Sequence, residues 1–511
     1  MNIANLLSRN ARYNPDKLAI VFEDQRYTFR QFNQSVNQLA NALKKRGIKK
    51  GDKIATLVPN CLELLEIYWA VSKIGAVVVP LSTLLMSKGL KSLLIDSDVI
   101  MVVAYSGMVE TLEEIRGHLD AIPSENFILT DNTDIPGYRH YHELKAAADI
   151  HEPPVTPING DDIFNIIYSS GTTGQPKGII HTHFIRSMYS ILGPTSFRMT
   201  PESVLMHSGS IVFNGAFMMI LPSMLLGATF ILHRQFSAES FIETVEKEKV
   251  THVIMVPAQL IAILNSNSFS PQALASLEMI CNVGAPLHQE HKDRLTGYLP
   301  NRFYELYGLT EGFLTVLDKG DYTSKPGSVG MPPPFYEMRI ENPDGEEVPP
   351  GQIGEIVGRG PILMPQYYKR PDLSREAIKD GWLYTGDLGY VDEDGFLYLV
   401  DRKKDMIISG GVNVYPKDIE EVIVQHPSVV EAAVLGVPSE RWGEIPVAAV
   451  TLSESGEITP EELGQWINQH VGAKFQRVQR VIIMDEFPRN IAGKVLKRVM
   501  REQLAADSRY V

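Results

Sequence analysis

The stretch Ile163-Phe-Asn-Ile-Ile-Tyr-Ser-Ser-Gly-Thr-Thr-Gly-Gln-Pro-Lys-Gly178 joins an apolar run to a loop of hydroxyl residues and glycines closed by a lysine. A short apolar run bounded by turn signals reads as a strand buried on both faces. In the loop behind it, backbone N–H groups can approach phosphate oxygens closely, and the hydroxyls and Lys177 add donors of matching charge. The physical reading is a phosphate cradle, and the plain alternative is a surface turn. It is not a Walker A loop, because Gly178 follows Lys177 where that loop needs Ser or Thr.

The same alternation continues outward on both sides. Thr28-Phe-Arg-Gln31 has the form of a capping box, Phe32, Val36, Leu39 and Leu43 recur at helical spacing, and Gly47 supplies a left-handed stop. The strand candidates IATLVP (54–59) and AVVVPL (76–81) follow, then LEMICNVG (277–284) and NRFYELYG (301–308). Helical patterns alternating with buried strands define a layered α/β domain. The uncharged segment Ser208–Leu232 is long enough to span a bilayer, but Gly209, Asn214, Gly215, Pro222 and Gly227 and the β-prone ATFIL at its end predict a buried helix followed by a buried strand.

Past residue 402 the units become smaller. The pattern predicts a helix over 416–425, a strand over 429–437, a helix opening at Thr459-Pro-Glu-Glu462, a strand at RVIIM (480–484), the loop FPRNIAGK (487–494) and a closing basic helix. A boundary near Arg402 is therefore expected, with an N-terminal body over 1–401 and a small α+β domain over 402–511.

The 511 residues suffice for three or four folding units, and 44% hydrophobic with 21% charged residues is ordinary globular composition. A formal net charge of -13 argues against a nucleic-acid partner, whose binding rests on Lys and Arg. From His470 to Val511, however, nine basic residues face four acidic ones, which is either a solvated helix face or a patch for a polyanionic small molecule. Cys61 and Cys281 lack metal-type spacing and form no disulfide framework, and neither end carries a targeting signal, so a cytoplasmic protein without an integral membrane segment is expected. A homodimer is compatible with the sequence, which carries no signal for oligomeric state.

The stretch Tyr168–Gly178 resembles the phosphate loop of the adenylate-forming superfamily of acyl-CoA synthetases, adenylation domains and luciferases. Further motifs appear in that family's order: Gly284-Ala-Pro-Leu287 looks like its adenine-wall turn and Tyr307-Gly-Leu-Thr-Glu311 like its aromatic, threonine and magnesium-carboxylate segment. Trp382-Leu-Tyr-Thr-Gly-Asp387 is similar to the ribose motif, Asp401-Arg-Lys-Lys-Asp405 with Ser409-Gly-Gly411 to the hinge and the loop after it, and Pro488-Arg-Asn-Ile-Ala-Gly-Lys494 to the C-terminal lysine motif.

The resemblance implies an αβαβα body with a small mobile C-terminal domain, and an acid:CoA ligase of the fatty-acid or 4-coumarate branch. Such an enzyme uses ATP, Mg²⁺ and coenzyme A and passes through an acyl-adenylate. It assigns catalysis to Lys494, Thr310, Glu311 and Lys177, with Glu311 the Mg²⁺ ligand. It places ATP against Ser169, Ser170, Gly171, Thr172, Thr173, Gly174, Gly284, Ala285, Pro286, Glu305, Leu306, Tyr307, Gly308, Thr310, Asp387 and Arg402. Lys404 takes the hinge position, and Ser409, Gly410 and Gly411 admit the pantetheine arm. Val212, Phe213, Asn214, Met218, Gly284, Leu306, Gly308, Leu314 and Thr315 line the acyl pocket, and Val212 stands where most acyl-CoA synthetases carry a histidine. No Arg or Lys occurs in those stretches, which points to a monocarboxylic acid, fatty, aryl or alicyclic.

The residue chemistry agrees. Adenylation brings a carboxylate against the α-phosphate of ATP, two anions that repel, so a bridging cation such as Lys494 is required. Asp387 suits the two ribose hydroxyls, and Mg²⁺ takes only one or two protein carboxylates besides phosphates. A stand-alone adenylation enzyme loading a carrier protein would share every ATP-site residue. Serine-hydrolase chemistry is unsupported, since no G-x-S-x-G elbow occurs.

Overall fold

A computed structural model describes residues 2–131, 133–169, 177–409, 412–439, 442–453, 456–489 and 495–506. The chain forms two compact units. The first comprises 1–326, 330–337 and 359–383, and the second 327–329, 338–358 and 384–511.

Two largely parallel sheets make the frame of the first unit. One has eight strands and begins at its edge with Phe313–Leu317 and Phe303–Leu309, followed by Met279–Val283 and His252–Met255; the other has seven and ends in the hairpin Ile163–Ser169 and Lys177–Thr182. Between them lie helices with little polar surface. Leu62–Ile74 is buried along all but one of its residues and packs on Val77–Pro80 of the seven-stranded sheet. Phe217–Leu226 packs on Val204–His207 and Thr229–Leu232 of the eight-stranded one. The rings of Tyr68 and Phe217 meet between these helices at 5.2 Å. Outer helices, Ala238–Glu248, Pro257–Asn265 and Gln289–Tyr298 on one side and Ser87–Asp96 with Val109–Arg116 on the other, bury a second apolar stripe on the far face of each sheet. The result is the expected αβαβα stack.

Local expectations carry through because their causes are local. Thr28 and Gln31 close a capping box at the start of Phe29–Lys45, and Gly47 takes φ +86°. The uncharged segment 208–232 is a helix and a strand, and no described helix is long and apolar enough to cross a membrane.

In the second unit a sheet ordered Val412–Val414, Ile407–Ser409, Gly443–Leu452, Val429–Ser439, with Arg480–Ile483 paired to Gly443–Leu452, carries helices on both faces. Pro416–Ile423 and Pro460–His470 cover one face, and Lys497–Ala506 the other. Four cations of the basic tail are paired inside this unit: Lys497 with Glu420 at 2.6 Å, Arg501 with Asp405 at 2.8 Å, Arg498 with Glu502 at 2.8 Å, and Arg489 with Glu431. Those four charges are offset within the unit.

Candidate active site

The phosphate-loop stretch is narrower than the sequence suggests. Tyr168 and Ser169 still belong to a strand and Lys177 and Gly178 already to the next, with Ser169 opposite Lys177 and Tyr168 opposite Gly178. Ser170, Gly171, Thr172, Thr173 and Gly174 lie outside the described residues, as do Gly410, Gly411 and Lys494.

Against the base of this hairpin stands the turn joining Phe303–Leu309 to Phe313–Leu317. Gly312 has φ +116°, and a Cβ there would lie 2.1 Å from the carbonyl oxygen of Ile362, so only glycine lets the 360–368 segment approach. That segment is fastened by the Met364 N–H donating to the Glu311 carbonyl at 2.7 Å and the Tyr368 N–H donating to the Gly178 carbonyl at 2.7 Å. Tyr367 is thereby held between the two. Its hydroxyl donates to Glu311 Oε1 at 2.9 Å, and Lys177 Nζ lies 4.8 Å from its ring centroid. Burial, then the charge of Glu311, push the Tyr367 hydroxyl above its ordinary pKa, so at neutral pH it stays a donor. On the other side of the turn, the Thr310 carbonyl accepts from His181 Nε2 at 3.0 Å. Lys177, Thr310 and Glu311 are thus brought together, and Tyr367 and His181, which sequence reasoning missed, hold them.

Strand register bears on the expected acyl lining. Gly308 is opposite Leu314 and Tyr307 opposite Thr315, so Leu306, Gly308 and Leu314 share one face while Thr315 stands with Tyr307 on the other. Thr315 is fully buried there and does not join the other three in one lining. A Cβ at Gly308 would meet Leu314 Cβ at 2.9 Å, whereas one at Gly284, in an exposed turn with φ +89°, would meet only Val256 at 3.7 Å. Glu305, expected against ATP, instead turns its side chain inward to a buried ion pair with Lys292. Asn282 Nδ2 donates to Glu305 Oε1 at 3.3 Å and to the Ala285 carbonyl at 3.0 Å, so this pair steadies the Gly284-Ala285-Pro286 turn from beneath.

Of the expected acyl residues, Val212 and Met218 are buried, and Phe213 and Asn214 half-buried, at the entry to Phe217–Leu226. Asn214 is gripped from another helix: Arg186 Nη1 donates to its Oδ1 at 2.8 Å and its Nδ2 donates to the Tyr189 hydroxyl at 2.8 Å. Nothing in the run HTHFIRSMYS marks Arg186 as more than an ordinary helix cation. His207, which ends the strand Val204–His207 upstream of Val212, is buried, and burial brings its pKa down to about 4.

In the second unit Asp387 and Arg402 are direct cross-strand partners, with Arg402 Nε 3.4 Å from Asp387 Oδ1. The Asp387 N–H donates to Thr385 Oγ1 at 3.1 Å, and Thr385 donates to the Ile356 carbonyl at 2.6 Å. Lys404 follows in an exposed turn, and Ser409 closes the strand Ile407–Ser409.

Among the described residues no group of three His, Cys, Asp or Glu side chains is placed to hold a metal ion. A lone hard carboxylate on Glu311 beside Lys177 is the donor set Mg²⁺ accepts when phosphates complete its shell.

The AMP-binding enzyme family model matches residues 7–368, and the model of the AMP-binding enzyme C-terminal domain matches 418–494. Feruloyl-CoA synthase of Amycolatopsis sp is 35% identical over 506 residues, covering 97% of both chains. Long-chain-fatty-acid–CoA ligase FadD13 of Mycobacterium tuberculosis (strain ATCC 25618 / H37Rv) is 33% identical over 99% of both. The o-succinylbenzoate CoA synthetase of Bacillus subtilis, solved with its acyl-adenylate intermediate, superposes with a TM-score of 0.87 at 27% identity, covering 97% of this chain and 98% of that one. The same enzyme was also solved with ATP and magnesium, at a TM-score of 0.86. The chain belongs to the family of AMP-binding enzymes. Within it, it is an AMP-forming acid–thiol ligase of the acyl-CoA synthetase kind, with ATP, Mg²⁺ and coenzyme A as its reaction partners.

Proposed function

We propose that this ligase joins a monocarboxylic acid, fatty, aryl or alicyclic, to coenzyme A, and that Lys177, Thr310 and Glu311 receive the nucleotide phosphates. The observation that carries this reading is the placement of a cation and a carboxylate on one tyrosine ring at the mouth of the Ser169–Lys177 hairpin.

In the first half-reaction Lys494 sits between the acid carboxylate and the α-phosphate, offsetting charge as pyrophosphate departs. Glu311 would hold Mg²⁺, which when bound supplies neutralisation of phosphate charge. Asp387, oriented by Arg402 and Thr385, accepts hydrogen bonds from the ribose hydroxyls. Tyr307 stacks the adenine beside the Gly284-Ala285-Pro286 turn, and Gly308, Leu306 and Leu314 face the acyl group with Val212, Phe213, Asn214 and Met218. In the second half-reaction the segment 402–511 turns about Lys404, with Ser409, Gly410 and Gly411 admitting the pantetheine arm. The thiolate then attacks the acyl carbonyl, the C–S bond forms, and AMP leaves with the electrons of the broken C–O bond. We also assign the protein to the cytoplasm.

The purified protein is incubated with ATP, Mg²⁺ and a panel of fatty, aryl and amino acids, and AMP and pyrophosphate are measured with and without coenzyme A. Release that depends on a fatty or aryl acid, with a thioester only when coenzyme A is present, is expected. Absence of pyrophosphate with every acid would refute the reading. Turnover of an amino acid, or of a carrier protein in place of coenzyme A, would favour the stand-alone adenylation enzyme.

A further inference from the structure

Arg186 is wholly buried on the helix His183–Phe197, and its described partners are neutral. Nε donates to Asn165 Oδ1 at 3.0 Å, Nη1 donates to Asn214 Oδ1 at 2.8 Å, and the guanidinium lies 4.0 Å from the ring centroid of Phe217 and 4.8 Å from that of Tyr189. Nη2 has no hydrogen-bond partner among the described residues. A buried guanidinium without a strong acceptor is costly, because nothing replaces the water it has lost.

Its neighbours are in the same state. Asn165 Nδ2 and His181 Nδ1 are buried and unpartnered among the described residues. His181 stands edge-on to Tyr189 with ring centroids 6.3 Å apart. The polarity of each orphan can be assigned. A carbonyl can only accept, so His181 Nε2, at 3.0 Å from the Thr310 oxygen, carries the hydrogen. Burial, reinforced by the charge of Arg186, holds the imidazole neutral, which leaves Nδ1 an acceptor. The cluster therefore offers donors from Arg186 and Asn165 and an acceptor from His181.

Its position ties it to the reaction. His181 donates to the carbonyl of Thr310, the residue before Glu311. Next to Asn214 there is room: a Cβ on Gly215 would meet nothing within 4 Å other than its own neighbouring chain.

We propose that Arg186 is a specificity-determining residue that receives an oxygen acceptor carried on the acyl portion of the acid. This rests on the acid-ligase reading above and narrows it. A hydroxyl or phenolic oxygen fits best, since it accepts from Nη2 and can also donate to His181 Nδ1. A second carboxylate would supply the same acceptor without the donated hydrogen.

The test pairs acids that differ only in that oxygen: 3-phenylpropenoic acid with its 4-hydroxy derivative, and a straight-chain acid with its ω-hydroxy and ω-carboxy derivatives. For each pair the ratio of kcat/KM is measured in the wild type, Arg186→Leu and Arg186→Lys. In the wild type the oxygenated member of at least one pair is preferred by about 10- to 100-fold, and Arg186→Leu erases that preference, as expected for a lost bond to a charged donor. Arg186→Lys retains part of it. The ratio is internal to one sample, so partial loss of folded protein leaves it unchanged, and the wild-type preference stands as a measurement if neither variant folds. Which derivative loses most in Arg186→Leu tells hydroxyl from carboxylate. Turnover of the plain acids with no preference for oxygenated ones, or a preference that survives Arg186→Leu, overturns the proposal while leaving the ligase reading intact. Failure to release pyrophosphate with any acid removes both.

Discussion

The Tyr367 hydroxyl donates to Glu311 Oε1 at 2.9 Å while Lys177 Nζ lies 4.8 Å from the same ring. One buried aromatic side chain thus fixes the orientation of a carboxylate and the distance of a cation from it. Without that anchor, Glu311 is less firmly oriented and Lys177 loses a ring face to lie on. Tyr367→Phe keeps the ring and removes the hydrogen bond. A bond to a charged acceptor contributes about 1.5–3 kcal/mol. Pyrophosphate release should fall by about 10-fold or more, with a higher Mg²⁺ requirement, in a magnesium titration of the adenylation step. An unchanged Mg²⁺ dependence would show that the tyrosine does not orient the metal ligand.

Lys494→Ala should abolish acyl-adenylate formation and largely spare thioester formation from supplied acyl-adenylate. The reason is electrostatic, since only the first step joins two anions. Equal losses in the two half-reactions, measured separately, would contradict the role.

Lys404→Pro stiffens the backbone where the turn is expected to take place. Thioester formation should suffer more than adenylation in the same paired assay. A variant with an unaffected second step would remove Lys404 as the hinge.

Asp387→Asn tests the ribose contact through its substrate. Replacing ATP by 2′-deoxy-ATP should lower kcat/KM in the wild type by about 10-fold, and by much less in the variant, because the same bond is removed twice. Equal discrimination by both proteins would move the ribose elsewhere. Arg402→Leu should raise the KM for ATP more mildly, since its guanidinium holds Asp387 from 3.4 Å away.

His207 and His252 are buried, and burial lowers the pKa of each to about 4. The unfolded chain titrates near about pH 6.5. Between those values it binds more protons than the folded chain, so stability is complete above about pH 6.5 and falls as pH drops through the window. The loss reaches about 3 kcal/mol per histidine near pH 4. Urea midpoints taken from about pH 7.5 down to 5 should fall, and His207→Gln should flatten the slope. A slope unchanged by that substitution would mean His207 is not held neutral by its surroundings.

The sequence by itself determined the elements and their order, because their causes are close in the chain. The Thr28 and Thr459 capping boxes, the left-handed Gly47 and the apolar runs at 54–57 and 279–283 each declare a boundary or a buried strand within a few residues. The motif positions Lys177, Thr310, Glu311, Asp387 and Arg402 were legible through the resemblance of contiguous stretches to the family's motifs, not through local physical causes of this kind. Tertiary structure alone decided what meets what. Strand register put Thr315 on the face opposite Gly308, and the packing of Gln289–Tyr298 turned Glu305 inward to Lys292. Tyr367, 56 residues from Glu311, and Arg186, 28 residues from Asn214, carry no local signal of their partners. Periodicity along a chain says which face a side chain occupies, but only the crossing of separate elements says which other side chain stands across from it.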